Sequence, residues 1–402
     1  MIISILSELL LLLYIFFYLL VLSGYASYWV NSRTTIKEKN DTRIRNVVII
    51  VPVHNEIDAF KNAVKHWNSI LTEHHTHIVV FVTQNKNKIS SKLIKLEYER
   101  LVYSNDRERI RLMFDTNESS TKSTKLTFVI NELNLSQDAY IGIFDIDTKV
   151  ESLTFDELSH KFDEGNDVVQ IVPLSTVEKP NGFENALLFG RYRRNISLEF
   201  GLVKLVNSFD ILKPLLGIHY FCGASFFIKK HILDTLGGFP TSNDDIELGY
   251  LYTSRQGQIS IVDSFSHAPL PSNNIKVYFR HRTKVLNAVF TRNKVLLKNK
   301  KIGPKYRILS FYSFLRDHFI EYSTFPFLVS LYFYSKLILC IAVCLLLAEA
   351  VLQRCILNHK INMSLIYSPF LCSVVYFYEL CFYVFVRFIF LNKSVNTEPT
   401  AK

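Results

Sequence analysis

The sequence predicts an α/β chain: a mostly parallel sheet flanked by helices, with one apolar segment before it and two after it. Three observations predict this. From Asn46 onward, short β-branched runs alternate with segments of helical apolar spacing, the pattern of parallel strands joined by crossover helices. One such run, Ala139-Tyr-Ile-Gly-Ile-Phe144, ends abruptly in Asp145-Ile146-Asp147. Apolar stretches of membrane length flank this region in a chain of 402 residues that is 49% hydrophobic, a high share for a wholly soluble protein.

Residues 2–21 are almost purely apolar, interrupted mainly by Ser4, Ser7 and Glu8. They reach the roughly 20 residues that cross a bilayer as a helix and predict a transmembrane anchor over residues 1–24. A cleaved signal peptide is the alternative, and Ser23-Gly-Tyr-Ala-Ser27 is a passable cleavage site, but no positive charge precedes the apolar run. Within the middle region, residues 47–51 read as a buried strand closed by Pro52. Residues 58–71 place Phe60, Val64, Trp67 and Leu71 on one helical face. Residues 78–82 are a second strand, 87–103 a helix, 109–114 a short strand and 122–133 a helix leading to the Asp145 strand. Later strands fall at 168–172 and 259–262. No repeat or low-complexity linker divides residues 46–275, which read as one domain. Residues 276–324 predict interfacial helices, and 325–391 two transmembrane helices, at 325–352 and 366–391.

The formal net charge is +10. The basic residues cluster beside the apolar segments: Arg33, Lys37, Lys39, Arg43 and Arg45 after the first, and Arg292, Lys294, Lys298, Lys300, Lys301, Lys305 and Arg307 before the second. Such clusters mark the cytoplasmic side of a membrane and hold anionic headgroups. The charge therefore argues for membrane lipids and no nucleic acid as partner. It predicts an integral membrane protein of three spans, N-terminus outside, with the middle domain cytoplasmic. Five of the six cysteines lie in or between the last two apolar segments, and only Cys222 is in the middle domain. No spacing suggests a disulfide framework or a zinc site.

The carboxyl end of a buried parallel strand is where open α/β sheets bind ligands. Two aspartates one residue apart at that end suit Mg²⁺ or Mn²⁺ shared with a diphosphate. A second acidic pair, Asp244-Asp245, opens a helix-like segment after Ser242-Asn243, where it also reads as a helix cap. An early Pro52-Val-His-Asn-Glu56 follows the first strand.

The order of these motifs resembles glycosyltransferase family 2, the inverting nucleotide-sugar enzymes that include cellulose, chitin and hyaluronan synthases and dolichyl-phosphate sugar synthases. The resemblance covers residues 47–282 and is strongest in Phe221-Cys-Gly-Ala-Ser-Phe-Phe-Ile-Lys229, Leu236-Gly-Gly-Phe-Pro240 and Asp244-Asp245-Ile-Glu-Leu248. It implies a GT-A-like fold and a hexosyltransferase with a nucleotide-sugar donor and a lipid-linked or saccharide acceptor. By resemblance Asp245 is the catalytic base, and Asp244 stands where the family has glutamate. Asp147 holds the metal, with Asp145 beside it nearer the ribose and sugar. Pro52, Asn55, Glu56, Lys122 and Gly223 line the donor, and Arg280 and Arg282 approach the diphosphate.

Two departures stand out. Where the family has a base-reading aspartate after the second strand, this chain has Val82-Thr-Gln-Asn-Lys86, so UDP is a weaker expectation than the diphosphate. Where processive members have Gln-X-X-Arg-Trp, it has Phe279-Arg-His-Arg-Thr283, which disfavours a gripped, growing polymer. A short polysaccharide or chito-oligosaccharide synthase, and a catalytically silent membrane scaffold of the same fold, remain alternative readings.

Overall fold

The computed structural model describes residues 2–32, 47–74, 77–84, 88–102, 108–117, 121–177, 180–207, 220–221, 225–240, 244–270, 278–279, 283, 298, 300, 302–334, 336–356 and 363–389. Among them, eight strands form one sheet: β1 (Val47–Pro52), β2 (His77–Thr83), β3 (Ile110–Phe114), β4 (Tyr140–Phe144), β5 (Lys149–Val150), β6 (Val168–Thr176), β7 (Ser225–Lys229) and β8 (Ser260–Pro269). Their order is β3-β2-β1-β4-β7-β6-β8-β5.

The first four strands are parallel, with Val47 opposite both His77 and Tyr140, and Thr83 opposite Phe114. The runs of β1, β2 and β4 are apolar on both faces because helices cover both, while the edge strand β3 is half-buried. The helix α2 (Ile57–Glu73) buries Phe60, Val64, Trp67 and Leu71, the face its sequence predicts. Trp67 is fully buried and meets the Phe144 ring edge-on at 5.0 Å. The helices α3 (Ile89–Leu101) and α4 (Lys122–Leu133) complete the crossovers.

The sheet is mostly parallel, as expected, with β5 and β7 running against the other six strands. Strand β7 runs antiparallel to both β4 and β6, β8 is parallel to β6, and β5 is antiparallel to β8. The sheet is therefore mixed. Strand direction is set by where the chain re-enters the sheet, which the residues of Ser225–Lys229 do not encode. Strand β8 is also longer than its apolar core suggests. Polar residues extend it to Pro269, and the Glu157 carboxylate of α5 (Ser152–Asp163) accepts from the Asp263 and Ser264 amides along it.

The N-terminal apolar run is the 31-residue helix α1 (Ile2–Ser32). It does not stop at residue 24. Tyr25 is fully buried, and Tyr28 packs on Phe200 at 5.1 Å and Phe265 at 5.7 Å. Helix α1 crosses a nine-residue π-helical segment, Arg193–Gly201, which continues α6 (Gly182–Tyr192) and leads into α7 (Leu202–Asn207). At the crossing a Cβ on Gly201 would overlap the Gly24 carbonyl, and one on Gly24 would overlap the Ser197 carbonyl. Ser197 Oγ donates to the Val21 carbonyl at 2.5 Å. Small residues that let backbones touch are the usual device of tightly packed apolar helices.

The C-terminal part forms α10 (Pro304–Tyr334), α11 (Lys336–Ile356) and α12 (Met363–Ile389). The stretch 325–352 expected as one helix takes in the end of α10 and most of α11, and Ser335 between them lies outside the described residues. On length and composition, the described residues contain two helical stretches able to cross a membrane, Leu11–Val30 and Lys336–Gln353.

Gly201→Ala should destabilise the protein by about 1–3 kcal/mol, the usual cost of overpacking a tight contact. Chemical unfolding in detergent, followed by tryptophan fluorescence, checks it. A variant as stable as wild type would show that α1 does not make this crossing.

Candidate active site

Because β1 to β4 are parallel and in register, their carboxyl ends share one edge. Pro52 to Glu56 leave β1 there, Gln84 leaves β2, Asp115 leaves β3, and Asp145 and Asp147 leave β4. The Gln84 side chain is buried and fastens two of these ends together. Its Nε2 donates to Asn55 Oδ1 at 2.7 Å and to Ser90 Oγ at 3.1 Å, while its Oε1 accepts from Lys88 Nζ at 2.9 Å. Where the family resemblance leads one to expect an acid, an amide braces the β1 turn, and the Asn55 carbonyl oxygen is engaged in that brace.

Asp115 is fully buried, and its Oδ1 accepts from the Asn117 amide at 3.0 Å and side chain at 2.9 Å. Its Oδ2 accepts from Thr124 Oγ1 at 3.4 Å. Thr124 also completes the capping box of α4: its amide donates to Thr121 Oγ1 at 3.2 Å, and the Thr121 amide donates to Thr124 Oγ1 at 2.8 Å. This fixed first turn presents Lys122 to the edge, where Nζ pairs with Asp145 Oδ1 at 2.8 Å. Lys122, expected on the phosphates, thus contacts a carboxylate of the Asp-X-Asp motif. The Asp145 carbonyl accepts from the Thr148 amide at 3.0 Å, closing the turn that carries half-buried Asp147.

One turn along α4, Lys125 is buried, and its Nζ donates to the Val53 carbonyl at 2.6 Å. Burial lowers its pKa from 10.5 to about 8, helped by Lys88 and opposed by Asp115 and Glu56. Burial, then Lys125 and Lys88, hold the His54 imidazole below its ordinary range. Sequence reasoning passed over Lys125. The available signal was its place among Leu126, Val129 and Ile130 on the inward face of α4, where a lysine needs a partner.

The second block of motifs reaches the same edge through Ser123. The helix α8 (Lys230–Leu236) ends in Gly237 and Gly238, with φ of 93° and 81°, a left-handed turn suited to glycine. Ser123 Oγ of α4 donates to the Pro240 carbonyl just beyond, at 2.6 Å. The helix α9 (Asp244–Ser254) then begins, and Asp245 Oδ1 accepts from the Ile246 amide at 2.8 Å. Asp245 therefore lies in the first turn, where free amides favour a carboxylate. Gly223, Arg280, Arg282 and the Asp244 side chain lie outside the described residues.

No group of three or more His, Cys, Asp or Glu side chains among the described residues is placed to hold a metal ion. Two carboxylates, Asp145 and Asp147, fit a Mg²⁺ or Mn²⁺ that takes its remaining oxygens from a diphosphate and water. The Asp145 side chain is 46% exposed and open to such a ligand.

No protein-family model matches the chain, and no curated protein matches it by sequence. Among solved structures, it is similar to a mannosyltransferase from Pyrobaculum calidifontis, solved in complex with GDP-Man and Mn²⁺. The TM-score is 0.53 at 14% identity, over 94% of this chain and 100% of that one. The chain has a glycosyltransferase fold. Looser likenesses are to residues 1–349 of S. aureus TarS, with a TM-score of 0.37 at 14% identity over 84% of this chain and 91% of that one. The same protein with UDP-GlcNAc gives 0.38 at 12% identity, with the same coverage.

Lys125→Met isolates the buried ammonium. A folded-state pKa of about 8, below the ordinary 10.5, means that the unfolded chain binds the proton more tightly. The stability of wild type relative to the variant should rise as pH increases from about 8 towards 10.5 and stay at its lower level below 8. Thermal midpoints of both proteins across this range check it. A difference independent of pH would show that Lys125 is not held in this environment.

Proposed function

We propose that this chain is a membrane-anchored, inverting glycosyltransferase that moves a sugar from a nucleotide sugar, with UDP-sugar the first candidate, to a lipid-linked or membrane-proximal acceptor. The observation that carries the proposal is the placement of Asp145 and Asp147 at the carboxyl end of β4, on the edge shared by four parallel strands. The mannosyltransferase with this fold was solved with GDP-Man and Mn²⁺, which supports a nucleotide-sugar donor and a divalent cation.

Inversion by a single displacement requires a base on the acceptor side, and Asp245 takes that role by accepting the hydroxyl proton, with Asp244 beside it. Asp145 and Asp147 would hold Mg²⁺ or Mn²⁺, which supplies neutralisation of the departing diphosphate's charge. Lys122, Arg280 and Arg282 would add positive charge against the diphosphate. Pro52, Asn55, Glu56 and Gly223 hold the nucleotide sugar so that its anomeric carbon faces the acceptor. Three transmembrane helices and a cytoplasmic domain complete the reading. It is supported by the apolar Leu11–Val30 and Lys336–Gln353 stretches and by the basic clusters beside the apolar segments. An active site at headgroup level favours a lipid-linked acceptor.

Membranes carrying the protein, incubated with labelled UDP- and GDP-sugars, should transfer one of the sugars to lipid extract. Failure of every donor would favour the silent scaffold. Asp147→Ala should abolish the stimulation of donor binding by Mn²⁺ in calorimetric titration, and unchanged metal dependence would remove Asp147 from the site. Asp245→Asn should keep donor affinity while transfer falls about 10²–10⁴-fold. Near-normal turnover would place the base elsewhere.

A further inference from the structure

The π-helical segment Arg193–Gly201 holds a buried carboxylate that the donor site does not use. Glu199 is 1% exposed, and its Oε1 accepts from Arg194 Nε at 3.0 Å and from the Tyr220 hydroxyl at 2.9 Å. A buried carboxylate is tolerated only where donors surround it, so both partners are tightly specified. Single π-helical turns inside helices recur at functional sites, and this segment is longer than one turn.

Tyr220 connects this carboxylate to α9. A Cβ on Gly249 of α9 would lie 2.5 Å from Tyr220 Cα and 2.6 Å from the Phe221 amide nitrogen, so backbone rests on backbone there. Gly249 follows Asp245 by one helical turn and shares its face. The Phe221 ring stacks on Phe226 of β7 at 4.7 Å and leans on Tyr252 of α9 at 6.3 Å. Tyr220 and Phe221 thus form the bed on which the Asp245 face of α9 lies, and Glu199 fixes that bed.

We propose that Glu199 and Tyr220 are positioning residues for Asp245: the Glu199 carboxylate, by accepting the Tyr220 hydroxyl, sets the seat of α9 and so the direction of the Asp245 carboxylate. The proposal rests on the reading of Asp245 as the base. It predicts a loss of rate without a loss of donor affinity, because neither residue belongs to the donor edge. Misplacing a reacting group by about 1 Å costs on the order of 10²-fold in rate.

The test uses the full-length protein in nanodiscs, with whichever of UDP-glucose, UDP-N-acetylglucosamine and GDP-mannose turns over fastest. Tyr220→Phe should lower kcat at least about tenfold, while donor KM and the affinity for the matching nucleoside diphosphate with Mn²⁺ stay within about twofold. Glu199→Gln, which keeps an acceptor oxygen, should retain more kcat than Glu199→Ala. In an Asp245→Glu background, Tyr220→Phe should cost less than about threefold, because the two changes act through one carboxylate. An unchanged kcat in Tyr220→Phe overturns the proposal. So does the full additional loss in the Asp245→Glu background, or a parallel fall in kcat and nucleoside-diphosphate affinity. Near-normal turnover of Asp245→Asn overturns the base assignment, and this proposal with it.

Discussion

The Glu349 carboxylate of α11 has no access to water, and Arg193 answers it with two parallel bonds, Nε to Oε1 and Nη2 to Oε2, each 2.7 Å long. Tyr18 of α1 donates to Oε2 at 2.8 Å, and Gln353 reaches the Phe189 carbonyl at 3.1 Å. One buried charge therefore fixes α1, α11 and the end of α6 against each other. Removing one partner from such a pair costs roughly 3–5 kcal/mol, although the intact pair adds little net stability. Its effect is specificity: an apolar helix could slide along another, but a bidentate pair admits one register.

From that register the α/β domain takes its place beside the apolar helices. Arg193 opens the π-helical segment, Ser197 and Gly201 seat it on α1, and Glu199 extends it towards α9. A contact inside the helical bundle is thereby continuous with the helix carrying Asp245. On the proposed function, with a membrane-proximal acceptor and Asp245 as base, such continuity would hold the base at a fixed depth relative to the lipid.

The edge at the carboxyl ends of β1 to β4 is organised on the opposite principle, by short polar contacts between strand ends. Gln84 joins β2 to the β1 turn, Lys125 joins α4 to the same turn, and Ser123 joins α4 to the turn before α9. Lys122 on Asp145 leaves a cation and a carboxylate side by side, both partly exposed. Such an edge can exchange internal pairs for contacts with a charged ligand at modest cost, because solvent screens the pair.

Much of this was legible in the chain. The apolar runs of β1, β2 and β4, the buried face of α2 and the Asp145-Ile146-Asp147 strand end follow from periodicity and from polar residues closing an apolar run, which are local properties. The insertion of β7 between β4 and β6 and the continuation of α1 into the domain were not legible. Strand direction depends on where distant segments return, and hydropathy does not say what a long apolar helix packs against. The partners of Lys125, Glu199 and Glu349 belong to the same class. Each charged residue looks like an interruption of an apolar segment until the fold brings its counterpart from as many as 156 positions away, as for Arg193 and Glu349. The sequence by itself determined the first four strands, the helices between them and the aspartates that close the fourth. Only the tertiary structure decided which buried charges pair, because burial makes pairing obligatory while leaving the choice of partner to three-dimensional proximity.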